Sequence, residues 1–392
     1  MRGLIERLSL ALRRRLPGWA VPVSPSPRRG REPLDHVIFL DGTLGSLKPA
    51  QITSIGLIYR FLRRRQPRAS LYYGKGLQWR EWRELSELWF GWGVNRQIER
   101  AYGWLASRYR PGDRVFIFGY SRGAFAARSL AGMIGRVGLL RAEAAIERNV
   151  LGAWRFYEAG GAEATQAFRA VHCHADCPIE MVGVFDTVMG LGFQLPLLWM
   201  LSEPRYRFHD HHLGAHVRHG AHALALDESR SIFEPLIWES VASEAGRIEQ
   251  CWFRGSHGDI GGQLGDFEAA RPLANIPLVW MLERAEAAGL ALPEGWRAVF
   301  PTDPAAPSVG TWRGFGKMFV LRAPRVVGRD ASECLHPGAA AAWRARPAIF
   351  RRGVLPPGAS VAGGAHHETG GRARGVKPPV ARITNLAPRD PG

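Results

Sequence analysis

The sequence is short of cysteine, short of acid and without any long apolar run. Its 392 residues hold four cysteines, Cys173, Cys177, Cys251 and Cys334. Four scattered thiols make no disulfide framework, and nothing in them requires an oxidising compartment. No stretch of about eighteen or more apolar residues occurs, which argues against a transmembrane helix. Near the amino end Leu8–Leu12 is too short for a signal-peptide core, and Arg13, Arg14 and Arg15 interrupt it. A cytoplasmic location is therefore the expectation. Acidic residues number 35 against 52 lysines and arginines, a net charge of +17. Such a balance favours phosphate-bearing partners, either lipid headgroups or nucleic acid. An arginine-rich proteome is the plainer alternative. No nucleic-acid-binding module is visible, so no specific nucleic-acid partner is expected.

Length and a hydrophobic content of 46% allow one large α/β domain or two ordinary ones. The composition divides the chain into a basic leader and linker (1–34), a catalytic-sized α/β domain (35–356) and a Gly/Pro/Arg-rich tail (357–392). In the leader, Leu4, Ile5, Leu8 and Leu12 share a helical face ringed by arginines, a pattern that suits a membrane surface.

The central stretch is Phe116-Ile-Phe-Gly-Tyr-Ser-Arg-Gly-Ala-Phe125. An apolar strand runs into Gly-x-Ser-x-Gly and on into a small-residue helix, predicted over Gly123–Val137. This is the pattern of a nucleophile elbow. A serine on so sharp a turn needs Gly119 and Gly123 on either side, where side chains would collide with the neighbouring strand and helix. Ala124, Ala126, Ala127, Ser129 and Ala131 let that helix pack closely. Its amino end directs N–H groups toward Ser121.

Other segments can be placed around the elbow. His36–Leu40 reads as a strand ending in Asp41-Gly42-Thr43, a loop that could supply a second oxyanion donor from Gly42 or Thr43, braced by Asp41. Helices are predicted over Gln51–Arg65, Asn95–Arg108, Arg141–Ala159, Ala162–Ala170 and Ile276–Ala288, and strands over Leu71–Tyr73, Ile179–Phe185 and Glu249–Arg254. Trp79, Trp82, Trp89 and Trp92 lie close together beside Arg80 and Arg83, fit for a lid or lipid interface or for core packing. Asp186 ends the Ile179–Phe185 strand, and the uncharged Val188–Leu201 could line an acyl site. His257 sits in the glycine-rich stretch Gly255–Gly262. The order Ser121, Asp186, His257 is the hydrolase order of nucleophile, acid and base. Asp259 is a rival acid, expected instead to bond N–H groups of its own loop. His212, His216 and His219 would share one face of a helix, spacing that a metal could use or that surface histidines on a basic helix would also give. Cys173 and Cys177, with His174 and Asp176, make a second weak metal pattern.

The motifs together resemble the widespread α/β-hydrolase family whose best-known members are phospholipase effectors of bacterial type VI secretion. The residues that carry the likeness are Phe39-Leu-Asp-Gly-Thr43, Gly119-Tyr-Ser-Arg-Gly-Ala-Phe125, Gly183-Val-Phe-Asp-Thr-Val188, His222-Ala-Leu-Ala-Leu-Asp-Glu-Ser-Arg230 and Trp252-Phe-Arg-Gly-Ser-His-Gly-Asp-Ile-Gly-Gly262. Five motifs in one order are far more specific than any one of them. Leu44 and Gly45 stand where the family usually has an aromatic residue and asparagine. Gln263 stands where it usually has a third glycine. The resemblance implies an α/β-hydrolase-like fold, a mostly parallel sheet with helices on both faces. It implies a catalytic triad of Ser121, Asp186 and His257, with His222 and Asp227 in support. It also implies cleavage of an ester, of a lipid or a smaller substrate, with peripheral membrane contact compatible with the basic ends.

The chemistry so implied is acyl transfer. His257 takes the Ser121 proton, Asp186 orients His257, and the N–H of Arg122 with one near Thr43 or Gly42 holds the oxyanion. No cofactor is needed, and no metal. Two other readings fit the same residues. One is a non-catalytic membrane- or partner-binding protein on a hydrolase scaffold, and the other is a zinc hydrolase using the histidine cluster.

Overall fold

A computed structural model describes residues 31–66, 68–76, 92–188, 212–241, 244, 246–313, 317 and 319–345. Most of the leader, the carboxyl-terminal tail, Trp79, Trp82, Trp89, most of Val188–Leu201 and His209 to His211 lie outside the described residues.

Seven strands form one sheet, and every neighbouring pair is parallel. In chain order they are β1 (Asp35–Leu40), β2 (Ser70–Gly74), β3 (Arg114–Tyr120), β4 (Ile179–Phe185), β5 (Val217–Ala225), β6 (Ile248–Phe253) and β7 (Glu333–Leu335). Their spatial order is β2-β1-β3-β4-β5-β6-β7. The chain steps outward from β1 to β2, then returns past β1 to β3. That reversal opens a crevice beyond the carboxyl ends of β1 and β3, where open parallel sheets bind their ligands.

Helices cover both faces. One layer holds α2 (Trp92–Ala106), α3 (Arg122–Val137), α4 (Glu147–Ala159) and α5 (Ala162–His172). The other holds α1 (Ser54–Arg65) and α7 (Arg271–Ala287). A short α6 (His257–Gly261) and α8 (Pro337–Ala345) complete the set. The central strands read as unbroken apolar runs because both faces are buried. Ile38, Leu40 and Ile117 enter one core with Ile98, Leu105 and Leu130. Val37, Phe39, Phe116 and Phe118 alternate into the other, with Ile55, Leu62, Leu278 and Met281. Each such fully buried side chain contributes about 1.5–3 kcal/mol.

The predicted strands β1, β2, β3, β4 and β6 form, within a residue or two of the expected bounds. The histidine-bearing segment does not form the expected helix. Val217–Ala225 is a strand paired on both sides. Its glycine and alanines sit between two buried neighbours, where pairing overrides a composition that suggests helix. Arg141–Ala159 also begins later than expected, with a single 3₁₀ turn at Ala142–Ala144 before α4 starts at Glu147. Among the described residues no helix is long and apolar enough to cross a membrane.

Candidate active site

Strand register places the key residues along one edge. Leu40 pairs with Gly119, Tyr120 with Phe185, and Phe185 with Ala223. The residues that follow β1, β3 and β4 therefore emerge side by side. Ser121 is the N-cap of α3, with φ 56° and ψ −123°. A left-handed φ on a non-glycine residue costs on the order of 1–3 kcal/mol and persists only where its surroundings impose it. Here the Ser121 N–H is held by Phe185 O at 3.0 Å. The flanking glycines are sterically required. A Cβ on Gly119 would lie 2.4 Å from Gly123 O, and one on Gly123 would lie 2.2 Å from Leu40 O.

His257 is the first residue of α6, not part of an extended glycine loop. Ser256 caps that helix. Asp259 completes a capping box, accepting from the Ser256 N–H and hydroxyl, each at 2.8 Å. It also accepts from the Val309 N–H and the Ser308 hydroxyl. Asp259 is thus occupied in holding the turn, as its place two residues after the histidine suggests. The imidazole lies between two aromatic rings, Phe233 stacked at 4.7 Å and Tyr120 at 4.9 Å. Its Nδ1 is 2.6 Å from Asp186 Oδ2, and its Nε2 is 2.9 Å from Ser121 Oγ. An ionised carboxylate can only accept, so Nδ1 carries a hydrogen. In the neutral ring, Nε2 is then left to accept the serine proton.

Asp186 is fully buried and also left-handed, with φ 43°. Oδ1 accepts from the Ala225 N–H at 2.9 Å. Arg325 grips both oxygens, at 2.5 Å to Oδ1 and 2.9 Å to Oδ2. Burial alone would raise the pKa of this carboxyl. The Arg325 charge and the hydrogen bonds from His257 and Arg325 outweigh burial and hold it far below the usual range. Arg325 is itself anchored by Ala225 O at 2.9 Å and by Phe233 O.

The loop after β1 is built on Asp41. Its carboxylate accepts from the Gly42 N–H at 2.8 Å, the Thr53 hydroxyl at 2.8 Å and the Tyr73 hydroxyl at 2.5 Å. Burial pushes its pKa up to about 6 against those bonds. The Gly42 N–H is thereby engaged by the Asp41 carboxylate. Among the described residues no backbone acceptor engages the N–H of Thr43 or of Arg122. Gln263 ties this loop to the elbow. Its Nε2 donates to Thr43 O at 2.9 Å, and its Oε1 accepts from the Tyr120 hydroxyl at 3.3 Å.

His222 lies on β5 behind Asp186. Its Nε2 accepts from the Thr187 N–H at 3.1 Å, and its Nδ1 is 3.2 Å from Gln250 Oε1. Burial, with the nearby Arg128 charge, lowers its pKa to about 3 and keeps it neutral. Asp227 accepts from the Gly255 N–H at 2.6 Å, steadying the strand end before His257. The neighbouring Glu228 accepts from the His257 N–H at 3.1 Å and pairs with Arg230. Residue reasoning missed Glu228, Phe233 and Arg325. Glu228 stands beside Asp227 within His222–Arg230. Arg325 carries no local pattern at all.

The remaining histidines do not share a face. His216 bonds Ala131 O at 2.8 Å, and His212 lies 3.0 Å from Glu239 O. Among the described residues no group of His, Cys, Asp and Glu is arranged to hold a metal. Cys173 and Cys177 are buried free thiols.

Comparison with known proteins follows the same outline. Residues 35–284 match the family model described as T6SS, phospholipase effector Tle1-like, catalytic domain. The uncharacterized protein YEL023C of Saccharomyces cerevisiae is 28% identical over 228 residues, 51% of this chain and 32% of that protein. The chain thus spans about a third of the length of that curated relative. Two solved structures are similar. The Tle1 effector bound to the VgrG spike of the type 6 secretion system has a TM-score of 0.33 at 17% identity, over 59% of this chain and 51% of its own. An uncharacterized protein from Pseudomonas aeruginosa has a TM-score of 0.38 at 14% identity, over 69% of this chain and 49% of its own. With the family match spanning more than half of its residues, the chain belongs to the Tle1-like phospholipase effector catalytic-domain family.

Proposed function

We propose that this chain cleaves a carboxylic ester of a phospholipid through an acyl-enzyme on Ser121. The observation that carries the reading is the unbroken relay from Ser121 Oγ through His257 to Asp186, at 2.9 and 2.6 Å. In the first half-reaction His257 Nε2 takes the hydroxyl proton as Oγ bonds to the ester carbonyl carbon. The N–H groups of Arg122 and Thr43 receive the oxyanion. Losing one such donor typically costs about 100-fold or more in rate. The imidazolium then protonates the departing alkoxide as the ester C–O bond breaks. Water repeats the sequence in reverse and frees the acid. Asp186 stays ionised throughout, because Arg325 and the Ala225 N–H bind its charged form.

The phosphate half of the proposal rests on family membership and on Arg122. Its guanidinium is largely withdrawn from water, which lowers its pKa to about 10. Among the described residues it makes no ion pair or side-chain hydrogen bond. A half-buried cation one residue from the nucleophile is compensated best by an anion that arrives with the substrate. The test is turnover of p-nitrophenyl butyrate and of a panel of phospholipids by wild type and Ser121→Ala. The proposal expects hydrolysis by the first and none by the folded variant. Equal activity in the two would overturn it.

A further inference from the structure

The segment from Ser308 to Arg325 is tied at both ends to the candidate triad. At its start Ser308 and Val309 bond Asp259, two residues from His257. At its finish Arg325 grips Asp186. In between, Phe319 packs on Phe233 at 5.7 Å, and Phe233 stacks on His257. The bridge between Arg230 and Arg322 pins it further, with Ser231 N–H on Leu321 O at 3.0 Å and Ala323 N–H on Ser229 O at 2.8 Å. Residues 308–309 and 321–325 are therefore held beside the site.

The side chains it displays are unusual for a surface. Trp312 is 60% exposed, Val320 83% and Leu321 65%. These are three of the eight exposed large hydrophobic residues found among the described part of the chain, and they fall within ten positions. Exposed Arg313 and Lys317 stand among them, and the Arg322 guanidinium lies over the Trp312 ring at 3.5 Å. From Ala305 to Arg329 the sequence holds no aspartate or glutamate. An indole and two aliphatic tips, with cations on a segment that itself carries no acid, match an interface of acyl chains below and anionic phosphates above, and the acids nearest in the chain to the ring under Arg313, Asp266 and Glu268, lie on another loop. A protein partner would be expected to meet an apolar centre with its charges at the rim, not interleaved.

We propose that Trp312, Val320 and Leu321, with Arg313 and Lys317, form a docking surface for an anionic phospholipid membrane, set beside the catalytic residues. This rests on the ester-hydrolase reading for its purpose but not for its measurement. Insertion of the three apolar tips would place the mouth of the site against the bilayer. A lipid could then pass to Ser121 without crossing water.

The experiment uses the full chain and two kinds of vesicle, phosphatidylcholine alone and phosphatidylcholine with phosphatidylglycerol. Co-sedimentation is compared for wild type and for W312S/V320S/L321S, whose changes lie in solvent and leave the core intact. Wild type should bind the anionic vesicles in preference, and the variant should lose at least about tenfold in partitioning, near one apolar residue's worth of transfer energy or more. On p-nitrophenyl butyrate in solution the variant should match wild type, while hydrolysis of vesicle lipid falls with binding. Equal vesicle binding by the two proteins, or no binding by wild type, overturns the proposal. Should wild type bind vesicles through these residues yet hydrolyse no ester, the surface stands and the enzyme reading fails.

Discussion

Arg325 and Asp186 form a two-pronged ion pair, 2.5 and 2.9 Å across, with 3% and 0% of their surfaces exposed. The same carboxylate serves His257. Two cationic or hydrogen-bonding groups thus compete for one acid, and each oxygen has a fixed assignment. Oδ1 goes to Arg325 and the Ala225 N–H, and Oδ2 is shared by Arg325 and His257. The arrangement leaves Asp186 little freedom to rotate away from the imidazole.

Replacing the fork with a point charge should loosen that orientation while keeping the charge. Arg325→Lys is therefore expected to lower kcat about tenfold, equal to roughly 1.4 kcal/mol of lost transition-state stabilisation, with KM little changed. Arg325→Met strands the carboxylate and should cost about 3–5 kcal/mol of stability, read as a fall in Tm. Wild-type kcat in Arg325→Lys would show that the fork has no positioning role.

Arg122 offers a way to separate phospholipid from neutral ester. Its backbone N–H is unaffected by a change of side chain, so Arg122→Met keeps the oxyanion donor. The variant should lose at least about tenfold more kcat/KM on a phospholipid than on a neutral acylglycerol, the worth of one charge-assisted contact. Equal losses on the two substrates would remove the phosphate contact from the account.

Asp41 sets a pH dependence of stability. Its carboxyl has an ordinary pKa of 3.8, raised in the fold to about 6. Below 3.8 both folded and unfolded chains hold the proton, and burial of the neutral acid carries no charge penalty. As pH rises through about 6 the fold must bury a carboxylate, so this stabilisation is lost. Asp41→Asn does not titrate. The Tm of wild type relative to the variant should therefore fall as pH rises from about 4 to about 7. A constant difference across that range would contradict the pKa shift.

The legible parts of the molecule are those fixed by local pattern. Gly119 and Gly123 could be read as obligatory because each must admit a backbone atom, and the structure places Gly123 O and Leu40 O against them. The doubly buried strands declare themselves by runs such as Val37–Leu40. Asp186 and His257 could be located as the residues just past two such runs. What could not be read depends on distant parts of the chain meeting. Arg325 reaches Asp186 across 139 residues, and no spacing rule marks it among so many arginines. The β5 strand was hidden by its histidines and alanines, which match a helix unless the strands on either side are known. Gln263 reads as a departure from a glycine pattern. Only the fold displays its hydrogen bonds to Thr43 and Tyr120.

The most direct test of the central claim is covalent labelling of the serine. Folded wild-type protein, treated with a fluorophosphonate and digested, should carry one adduct on the peptide containing Ser121. Ser121→Ala should carry none, and Asp186→Asn should label far more slowly, in line with losses of about 10⁴ in kcat when a triad acid is neutralised. Folded wild type that takes up no label, or Ser121→Ala that labels as fast, would contradict the account.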